Sequence, residues 1–478
     1  MSQDTLETPA VPRINSRAVT DDVLNIADFN ERIVGAYNDG TAELGLPADR
    51  SVARSLITAG SGALRDFSYI APEIPLLNSD NCVACMACVT ECPDTAILGK
   101  VVPKSQLDAE LAKIPDEVER EHYRKQFGKT TKFWNVYEKK GQEPGYFGIF
   151  IDPTKCKGCA ECVEACGDHG ALAMLRKENA TLPKFQKTFN FYKKLPETPK
   201  QYINDKLLTD MMLADRSLLY VGGAGSCMGC GEATAIRMML AATGFVYGKE
   251  SLGIINSTGC STVYASTYPY NPYLVPWSNS LFENGPTYAM GVRSRWDQMG
   301  WKDKKLWVFG GDGAMLDIGF QALSRMLMSG MNIKVLILDT QVYSNTGGQS
   351  STGTFMGQNT KFSVHGKAIS GKMERRKEIA QIAMMHPEVF VAQTSCAMTN
   401  HFYKSIMAAN EYDGPAVISV YTTCQPEHVV GDNMAMHQSK LAVDTRTFPV
   451  LMYDPRKGSK ISERLSLQGN PANTEDFY

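Results

Sequence analysis

Cysteine is the residue type whose spacing in this sequence points most directly to chemistry. Of the 13 cysteines, eight form two runs that share the spacing C-x2-C-x2-C-x3-C. The first run is Cys82, Cys85, Cys88 and Cys92, and the second is Cys156, Cys159, Cys162 and Cys166. Structural zinc sites usually use two separated pairs of ligands rather than three cysteines on one tight loop. Disulfides rarely persist in a reducing compartment, and the N-terminus lacks the basic and apolar regions of a secretory signal.

The double run favours two 4Fe–4S clusters over disulfides or zinc. In two-cluster ferredoxins the fourth cysteine of each run ligates the other cluster. We therefore assign one cluster to Cys82, Cys85, Cys88 and Cys166, and a second cluster to Cys156, Cys159, Cys162 and Cys92. Small residues inside the loops, such as Ala84 and Gly158, let backbone amides approach the sulfur atoms.

The remaining cysteines carry less information by themselves. Cys227 and Cys230 form a C-x2-C pair, whereas Cys260, Cys396 and Cys424 stand alone. A lone cysteine is most often a small buried hydrophobic residue.

Two further segments carry polar residues at the predicted ends of strands. Gly310-Gly311-Asp312-Gly313 follows an apolar strand and leads into a helix, and a loop from Thr340 to Asn345 follows the next strand. Glycines at a strand–helix junction allow a phosphate to approach the helix N-terminus. Asp312 is a hard oxygen ligand suited to Mg²⁺. Because ligands of parallel sheets bind at the carboxyl ends of strands, we expect both segments to contribute to one diphosphate site.

Alternating strands and helices from about residue 216 predict an α/β fold, doubly wound, with helices on both faces of a parallel sheet. The predicted strands are 306–309, 333–338, 389–392 and 416–421, and the predicted helices are 374–385 and 398–412, with a helix from Leu316 to Leu327. We divide the chain into an N-terminal arm (1–75), an α+β two-cluster ferredoxin-like domain (76–185) with a surface insertion (95–149), a linker (186–215) and the doubly wound domain with its tail (216–478). In the arm, a helix over 21–37 and a turn at 45–48 are predicted.

From about residue 76 onward the chain resembles the C-terminal part of pyruvate:ferredoxin oxidoreductase, a 2-oxoacid:ferredoxin oxidoreductase. The segments that carry the resemblance are the two cysteine runs, Cys227–Glu232, Asn256–Cys260, Gly311-Asp312-Gly313 and Asp339–Ser350. The resemblance implies thiamine diphosphate with Mg²⁺ and a third, proximal 4Fe–4S cluster beside it. By motif, the proximal ligands are Cys227, Cys230, Cys260 and Cys424, which leaves Cys396 without a role.

The same resemblance assigns roles around the coenzyme. Mg²⁺ is implied to be bound by Asp312, the Thr340 side chain and the Val342 carbonyl. Gly311, Gly313 and Glu232 are implied to contact the coenzyme. Asn345 is implied to face its reacting carbon as the catalytic residue.

The implied reaction converts pyruvate and coenzyme A to acetyl-CoA and CO2 and passes electrons to ferredoxin or flavodoxin. Single-chain relatives are more than twice this length, so we expect a companion subunit with the pyrimidine-, 2-oxoacid- and coenzyme-A-binding domains, in a dimer of heteromers. The same chemistry on 2-oxoglutarate, oxalate or an aryl or branched 2-oxoacid stays open. A subunit that only transfers electrons is a further alternative, although it should have lost Asp312 or Asn345, and this chain has both.

Composition excludes several other classes of protein. Lys and Arg total 49 against 51 Asp and Glu, a net charge of −2 with no basic block, which argues against nucleic-acid binding. No stretch approaches the roughly 20 apolar residues of a membrane span. We therefore expect a cytoplasmic protein.

Overall fold

The computed structural model describes residues 26–46 and 50–472. Its N-terminal segment is helical, with α1 (Ile26–Phe29), a π-helical turn (Asn30–Val34), α2 (Gly35–Asn38) and α3 (Arg50–Ala53). Phe29, Ile33 and Val34 pack against Tyr270, so this segment lies on a loop of the later sheet domain. The predicted helix over 21–37 begins outside the described residues, and the second half of the predicted turn at 45–48 falls outside them too.

The region that contains the two cysteine runs is built on a small antiparallel pair of strands. Its elements are β1 (Glu73–Leu77), α4 (Ala87–Glu91), β2 (Ile97–Pro103), α5 (Lys104–Ala112), α6 (Glu117–Arg124), β3 (Phe127–Gly128), α7 (Val136–Lys139), β4 (Gly145–Ile151), α8 (Glu161–Cys166), β5 (Leu172–Arg176) and α9 (Thr181–Lys194). β1 pairs with β5, from Glu73 opposite Arg176 to Leu77 opposite Leu172. Each cysteine run supplies one short helix, α4 or α8, and these helices pack against each other.

The insertion at 95–149 is a folded unit rather than a surface excursion. It forms a three-stranded sheet in the order β2-β4-β3, and every residue of β2 and β4 is buried. Its own apolar core includes Trp134 and Phe150 and also Phe189 and Tyr192 of α9. Part of the predicted linker at 186–215 is therefore packed into this unit, while the domain limits themselves stay predictions.

The remaining chain forms one eight-stranded sheet flanked by helices. Its elements are α10 (Leu208–Met211), α11 (Gly231–Tyr247), β6 (Leu252–Ser257), α12 (Cys260–Ala265), β7 (Trp277–Ser280), α13 (Gly285–Gln298), β8 (Lys305–Gly311), α14 (Phe320–Leu327), β9 (Ile333–Asp339), β10 (Val342–Tyr343), β11 (Gln349–Ser350), α15 (Ile379–Met384), β12 (Phe390–Ser395), α16 (Thr399–Glu411), β13 (Ala416–Tyr421), α17 (Gln425–His428), α18 (Ala435–Asp444), β14 (Leu451–Tyr453), α19 (Ile461–Arg464) and β15 (Leu465–Ser466). The strand order is β15-β14-β12-β13-β9-β8-β6-β7, with β10 and β11 forming a separate hairpin. β6, β7, β8, β9, β12 and β13 are parallel, whereas β14 and β15 extend one edge antiparallel.

Successive residues of the central strands point to opposite faces, and each face has its own core. Leu336 and Leu338 pack with α11 and α16, whereas Val335 and Ile337 pack with α13, α14 and α15. The sequences of such strands are continuous apolar runs because helices cover both faces of the sheet. The predicted doubly wound α/β fold is confirmed. The predicted helix over 374–385 is shorter than expected, since it begins at Ile379.

The register of the sheet brings the two polar segments together. Gly311, the last residue of β8, lies opposite Leu338, one residue before the end of β9. Asp312 and the loop after Asp339 therefore leave the sheet side by side. Among the described residues, no helix has both the length and the apolar character that a membrane crossing needs.

Candidate active site

A cavity of about 250 Å³ opens at the carboxyl ends of β6, β8 and β9. We call it the Asp312 pocket. Its wall includes the Gly311-Asp312-Gly313 turn, the segment from Val342 to Thr346, and Glu232 from the first turn of α11. Of the residues predicted to contact the coenzyme, Gly311, Asp312, Gly313, Glu232 and Asn345 line this pocket, while Thr340 bonds Asp312 and lines an adjoining cavity.

Asp312 is 1% exposed and is held by three donors. Its Oδ1 accepts hydrogen bonds from the Thr340 amide at 3.3 Å and from the Thr340 hydroxyl at 3.2 Å. The Ser351 hydroxyl donates to Oδ2. Burial and the nearby Asp339 raise the pKa of Asp312 well above its usual range, against the lowering effect of these hydrogen bonds. A buried carboxylate with no paired cation is costly, so the site suits a bound cation.

The three predicted Mg²⁺ ligands converge. The Thr340 hydroxyl lies 3.2 Å from Asp312 Oδ1 and 3.1 Å from the Val342 carbonyl oxygen. Gln341 between them has φ of 65°, a left-handed conformation that turns the loop at this point. Carboxylate, hydroxyl and carbonyl oxygens form a hard donor set of the kind that Mg²⁺ takes.

Gly313 is required by packing rather than by backbone angle. A Cβ built on Gly313 would lie 2.2 Å from Cδ1 of the Tyr343 ring. The Tyr343 hydroxyl donates to Asp317 Oδ2 at 2.5 Å, which holds the ring across the turn. Gly313, the second glycine of the motif, therefore lets the Tyr343 ring pack directly on the start of the π-helical segment Gly313–Ile318.

Glu232 is a buried carboxyl group, 4% exposed, at the back of the pocket. Burial raises its pKa to about 7, and a hydrogen bond at 3.4 Å from the Tyr264 hydroxyl opposes this shift. The side chain can therefore hold a proton near neutral pH. A coenzyme heteroatom in the pocket would be its natural hydrogen-bond partner.

A second cavity, of about 180 Å³, adjoins the Asp312 pocket. Its wall contains all four predicted proximal ligands: Cys227, Cys230, Cys260 and Cys424. We call it the proximal cavity. Four residues line both cavities, and they form the partition between them: Glu232, Cys260, Ser344 and Asn345. Cys260 Sγ lies 3.5 Å from the Ser344 hydroxyl in this partition.

The two ferredoxin-type runs line two smaller cavities in the crossed arrangement that the sequence predicts. The first, the Cys82 cavity, has Cys82, Cys85, Cys88 and Cys166 in its wall, and the second, the Cys92 cavity, has Cys92, Cys156, Cys159 and Cys162. The Ala96 amide lies 3.3 Å from Cys92 Sγ, and the Ala171 amide 3.2 Å from Cys166 Sγ. Cys92 and Cys166, which each line the cavity of the other run, thus each receive one hydrogen bond from a backbone amide.

The loops of the two runs repeat one backbone conformation. The third and fifth positions of each run are left-handed, with φ of 61° and 67° at Ala84 and Met86 and 72° and 65° at Gly158 and Ala160. Burial raises the pKa of the Cys156 thiol to about 12 and that of Cys162 well above its usual value. Buried thiols of this kind become thiolates only beside a positive centre.

Two observations limit what else these cysteines do. Cys396 is fully buried, lines none of the three cysteine-lined cavities and donates to the Ser439 hydroxyl at 3.4 Å. Within the described part of the chain, no three His, Cys, Asp or Glu side chains are placed to hold a single metal ion.

Sequence reasoning missed several residues of the site. Ser351 holds Asp312, and the His428 Nε2 lies 2.9 Å from the Thr340 carbonyl oxygen. Ser351 follows the glycine-rich motif as one of two adjacent serines, so nothing in the sequence distinguishes it. His428 reaches the loop from a helix about ninety positions away in sequence, which no local pattern reveals.

Comparison with known proteins agrees with this geometry. Residues 257–420 match the family model described as "Thiamine pyrophosphate enzyme, C-terminal TPP binding domain". The chain is 28% identical over 475 residues to a probable pyruvate-flavodoxin oxidoreductase of Escherichia coli, with 84% of this chain and 38% of that protein covered. It is 28% identical over 467 residues to pyruvate:ferredoxin oxidoreductase of Moorella thermoacetica, with 81% and 37% covered.

Among solved structures, one match is the 2-oxoglutarate:ferredoxin oxidoreductase from Magnetococcus marinus, determined with 2-oxoglutarate, coenzyme A and succinyl-CoA bound. Its TM-score is 0.36 at 20% identity, covering 42% of this chain and 65% of that chain.

Residues 257–420 are thus similar to the thiamine-diphosphate-binding domain of the thiamine pyrophosphate enzymes. More narrowly, the chain is homologous to the pyruvate:ferredoxin and pyruvate-flavodoxin oxidoreductases. It spans less than two fifths of the length of these relatives.

Proposed function

We propose that this chain is the thiamine-diphosphate- and iron–sulfur-carrying part of a 2-oxoacid:ferredoxin oxidoreductase. One observation carries the proposal. The Asp312 pocket, in a domain that matches thiamine enzymes, shares a wall with a cavity lined by four cysteines. In the proposed enzyme, this arrangement would put an organic oxidation directly beside a one-electron acceptor.

Asp312, Thr340 and the Val342 carbonyl would hold Mg²⁺, which in turn would neutralise the diphosphate. The burial of the Asp312 carboxyl group next to the Thr340 hydroxyl supports this assignment. Thiamine diphosphate, when bound, supplies the electron sink for loss of CO2 from a 2-oxoacid. Gly311 leaves room for close approach of the diphosphate, and Glu232 offers a carboxyl group that holds a proton near neutral pH. Asn345, in the partition, would orient the reacting group toward the proximal cavity.

Three 4Fe–4S clusters fit the cysteine cavities. Each cavity offers four cysteines, and the left-handed loop positions and the amides beside Cys92 and Cys166 suit clustered thiolates. A single zinc ion fits less well, because no three of these side chains are placed to share one ion in the residues that the structure describes. Electrons would leave the proximal cavity through the Cys92 and Cys82 cavities to ferredoxin or flavodoxin.

Pyruvate is the proposed substrate and coenzyme A the proposed acyl acceptor, on the strength of the relatives' names. Another 2-oxoacid is the second candidate, because we assign the substrate-binding domains to the part of the relatives that this chain does not cover. A companion polypeptide would supply those domains in a dimer of heteromers. Exposed apolar residues at the Asp312 pocket support such a partner: Phe282, 38% exposed, and Ile318, 60% exposed, line it, and Leu281, next to Phe282 in the sequence, is 58% exposed. A cytoplasmic location stays a prediction.

The experiment is cofactor analysis and turnover of the anaerobically isolated complex, with and without the substitution Asp312→Ala. We expect about twelve irons, from three four-iron clusters, and one thiamine diphosphate per native chain. The Asp312→Ala complex should keep its iron but lose thiamine diphosphate and at least about a hundredfold of its 2-oxoacid oxidation, since several kcal/mol of diphosphate binding depend on the cation.

Asp444→Ala is the matched control, because Asp444 forms a surface ion pair with Lys440 on its own helix, α18. Undiminished coenzyme retention in the Asp312→Ala complex would overturn the site assignment. Iron without thiamine diphosphate in the native complex would favour a subunit that only transfers electrons. Turnover with pyruvate, 2-oxoglutarate, oxalate and an aryl 2-oxoacid would identify the substrate.

A further inference from the structure

Arg237 is a buried arginine whose hydrogen bonds are incomplete. It lies in the second turn of α11 and is 3% exposed. Its Nη1 donates to the Cys92 carbonyl oxygen at 3.0 Å and also to the Val89 carbonyl oxygen. Its Nε and Nη2 have no hydrogen-bond partner among the described residues. A guanidinium carries five N–H donors, and leaving some of them buried and unpaired is costly.

The position of Arg237 links the proximal cavity to the cysteine runs. α11 starts immediately after Cys230, a residue of the proximal cavity. Thr234 in its first turn donates to the carbonyl oxygens of Cys230 at 3.2 Å and of Glu91 at 3.3 Å. Arg237 follows three residues later on the same face of the helix. It therefore meets α4 where that helix ends at Cys92, whose thiol lines the Cys92 cavity.

The charge of Arg237 is also uncompensated. No Asp or Glu oxygen forms an ion pair with it in the described part of the chain, and the groups that face it are Cys92, Tyr220, Asp94 and Cys88. Asp94 forms its ion pair with Lys157 instead, at 2.7 Å, and both side chains are 3% exposed. Lys157 is moreover satisfied by the Ala224 and Ser226 carbonyl oxygens at 2.9 and 2.8 Å. Of these two buried cations beside the cysteines, Arg237 is the one that keeps N–H donors, on Nε and Nη2, without a partner among the described residues.

A buried unpaired cation is stabilised when an anion is placed next to it. A thiolate-ligated cluster is such an anion, and each electron it accepts adds one negative charge. Hydrogen bonds and nearby charges are known to set the potential of these clusters.

We propose that Arg237 is a tuning residue for the centre held by Cys92, Cys156, Cys159 and Cys162, whose reduction potential it raises through its fixed charge and its free N–H groups. The inference rests on the proposed iron–sulfur function of these cysteines. It assigns a role to a side chain that contacts neither the coenzyme pocket nor a cysteine sulfur directly. Because the positive charge stabilises the reduced form, the centre in the Cys92 cavity accepts an electron more readily than it would without Arg237.

The test is an anaerobic redox titration of the complete complex, poised with dithionite and followed by electron paramagnetic resonance. Arg237→Gln removes the charge at similar size, and Arg237→Lys keeps the charge with fewer and differently placed donors. Arg293→Gln is the matched control, since Arg293 is an equally buried arginine, 1% exposed, that bonds Trp301 and Lys304 far from the cysteines.

We expect Arg237→Gln to lower the equilibrium constant for reduction of one cluster about tenfold, which is about 59 mV for a one-electron couple. The iron content should be unchanged. Arg237→Lys should restore most of that loss, and Arg293→Gln should leave every potential unchanged. An unaltered potential in Arg237→Gln at full iron content would overturn the proposal. A native complex without cluster signals would instead refute the proposed function itself.

A second measurement covers the case in which Arg237→Gln does not retain its iron. Proton couplings to the reduced cluster, recorded before and after exchange into D2O, report N–H donors near it. We expect the native complex to have an exchangeable coupling that Arg237→Lys lacks. Identical couplings in both would mean that the free N–H groups do not face the cluster, and the inference would fail.

Discussion

At the scale of single residues, the motif around Asp312 combines a ligand with two glycines that have different roles. A methyl group on Gly311 would meet only the Leu338 carbonyl oxygen at 3.8 Å, an ordinary contact. On Gly313 it would meet the Tyr343 ring at 2.2 Å. The first glycine leaves space for a ligand, whereas the second makes space for the protein's own side chain.

This difference yields a prediction about stability. Gly313→Ala should lower the free energy of unfolding by about 1–3 kcal/mol, because Tyr343 must move and strain its bond to Asp317. Gly311→Ala, measured without added coenzyme, should change it by less than about 0.5 kcal/mol. Anaerobic urea titrations of both variants decide the matter, and equal losses would contradict the packing argument.

At this scale the sequence could predict the proposed Mg²⁺ ligands but not the residues that hydrogen-bond to them. Asp312 is predicted from its place between two glycines at a strand end, and Thr340 and Val342 from the family resemblance; the structure brings their oxygens together. Ser351, His428 and Arg237 act from distant elements, so their contacts exist only after the chain has folded. Arg237 alone leaves a weak signal in the sequence, because it stands in an apolar helix. Arg is almost never fully buried without a partner, so its position suggests that a partner is nearby.

At the scale of elements, the cysteine-run region is joined to the sheet domain through a helix terminus. Glu161, at the start of α8, accepts hydrogen bonds from the amides of Ala435 at 3.2 Å and Met436 at 2.9 Å. These amides belong to the first turn of α18, where backbone donors have no partner within their own helix. A carboxylate from one region therefore caps a helix of the other. Glu164 makes a second, more exposed contact to the Asn433 side chain at 2.7 Å.

Glu161→Ala should destabilise this junction, because it leaves two buried amides without an acceptor, at a cost of about 1–3 kcal/mol each. Glu161→Gln, which keeps one acceptor oxygen, should recover part of the loss. Glu164→Ala, the control, should cost less than about 1 kcal/mol. Limited proteolysis between the two regions and urea unfolding of the holo-complex would measure the effect, and an unaffected Glu161→Ala variant would show that the cap contributes nothing.

Periodicity predicted the strands of the sheet well and the insertion poorly. The runs at 306–309, 333–338 and 416–421 are buried on both faces, and such apolar runs leave few alternatives. The insertion contains many Lys and Glu residues, which suggested a surface excursion. Its core is instead formed by aromatic residues together with α9, and that partnership is not local in sequence.

At the scale of the whole molecule, the Asp312 pocket has an apolar rim of two exposed lining residues, Phe282 and Ile318, and the exposed Leu281 precedes Phe282 in the sequence. Exposed apolar residues around a binding site mark a surface that another protein covers. We therefore expect the companion polypeptide to close the pocket from this side, which would exclude water from the reacting groups.

Ile318→Glu should weaken this assembly about tenfold or more, since a charge would enter an apolar contact. The iron content of the chain should stay unchanged. Val118→Glu is the control, because Val118 is 80% exposed on α6, far from the rim. Mass photometry of the coexpressed complex at decreasing concentration would measure dissociation. Equal affinities for the two variants would place the companion elsewhere.

The exchange of one thiol between the two ferredoxin-type cavities has a consequence for evolution and engineering. Cys92 leaves its own run to complete the other cavity, and Cys166 does the reverse. Neither run can be deleted, replaced or grafted alone without opening both cavities. The two runs therefore form one inseparable unit, and a shortened or redesigned version of the chain must keep both runs or lose both.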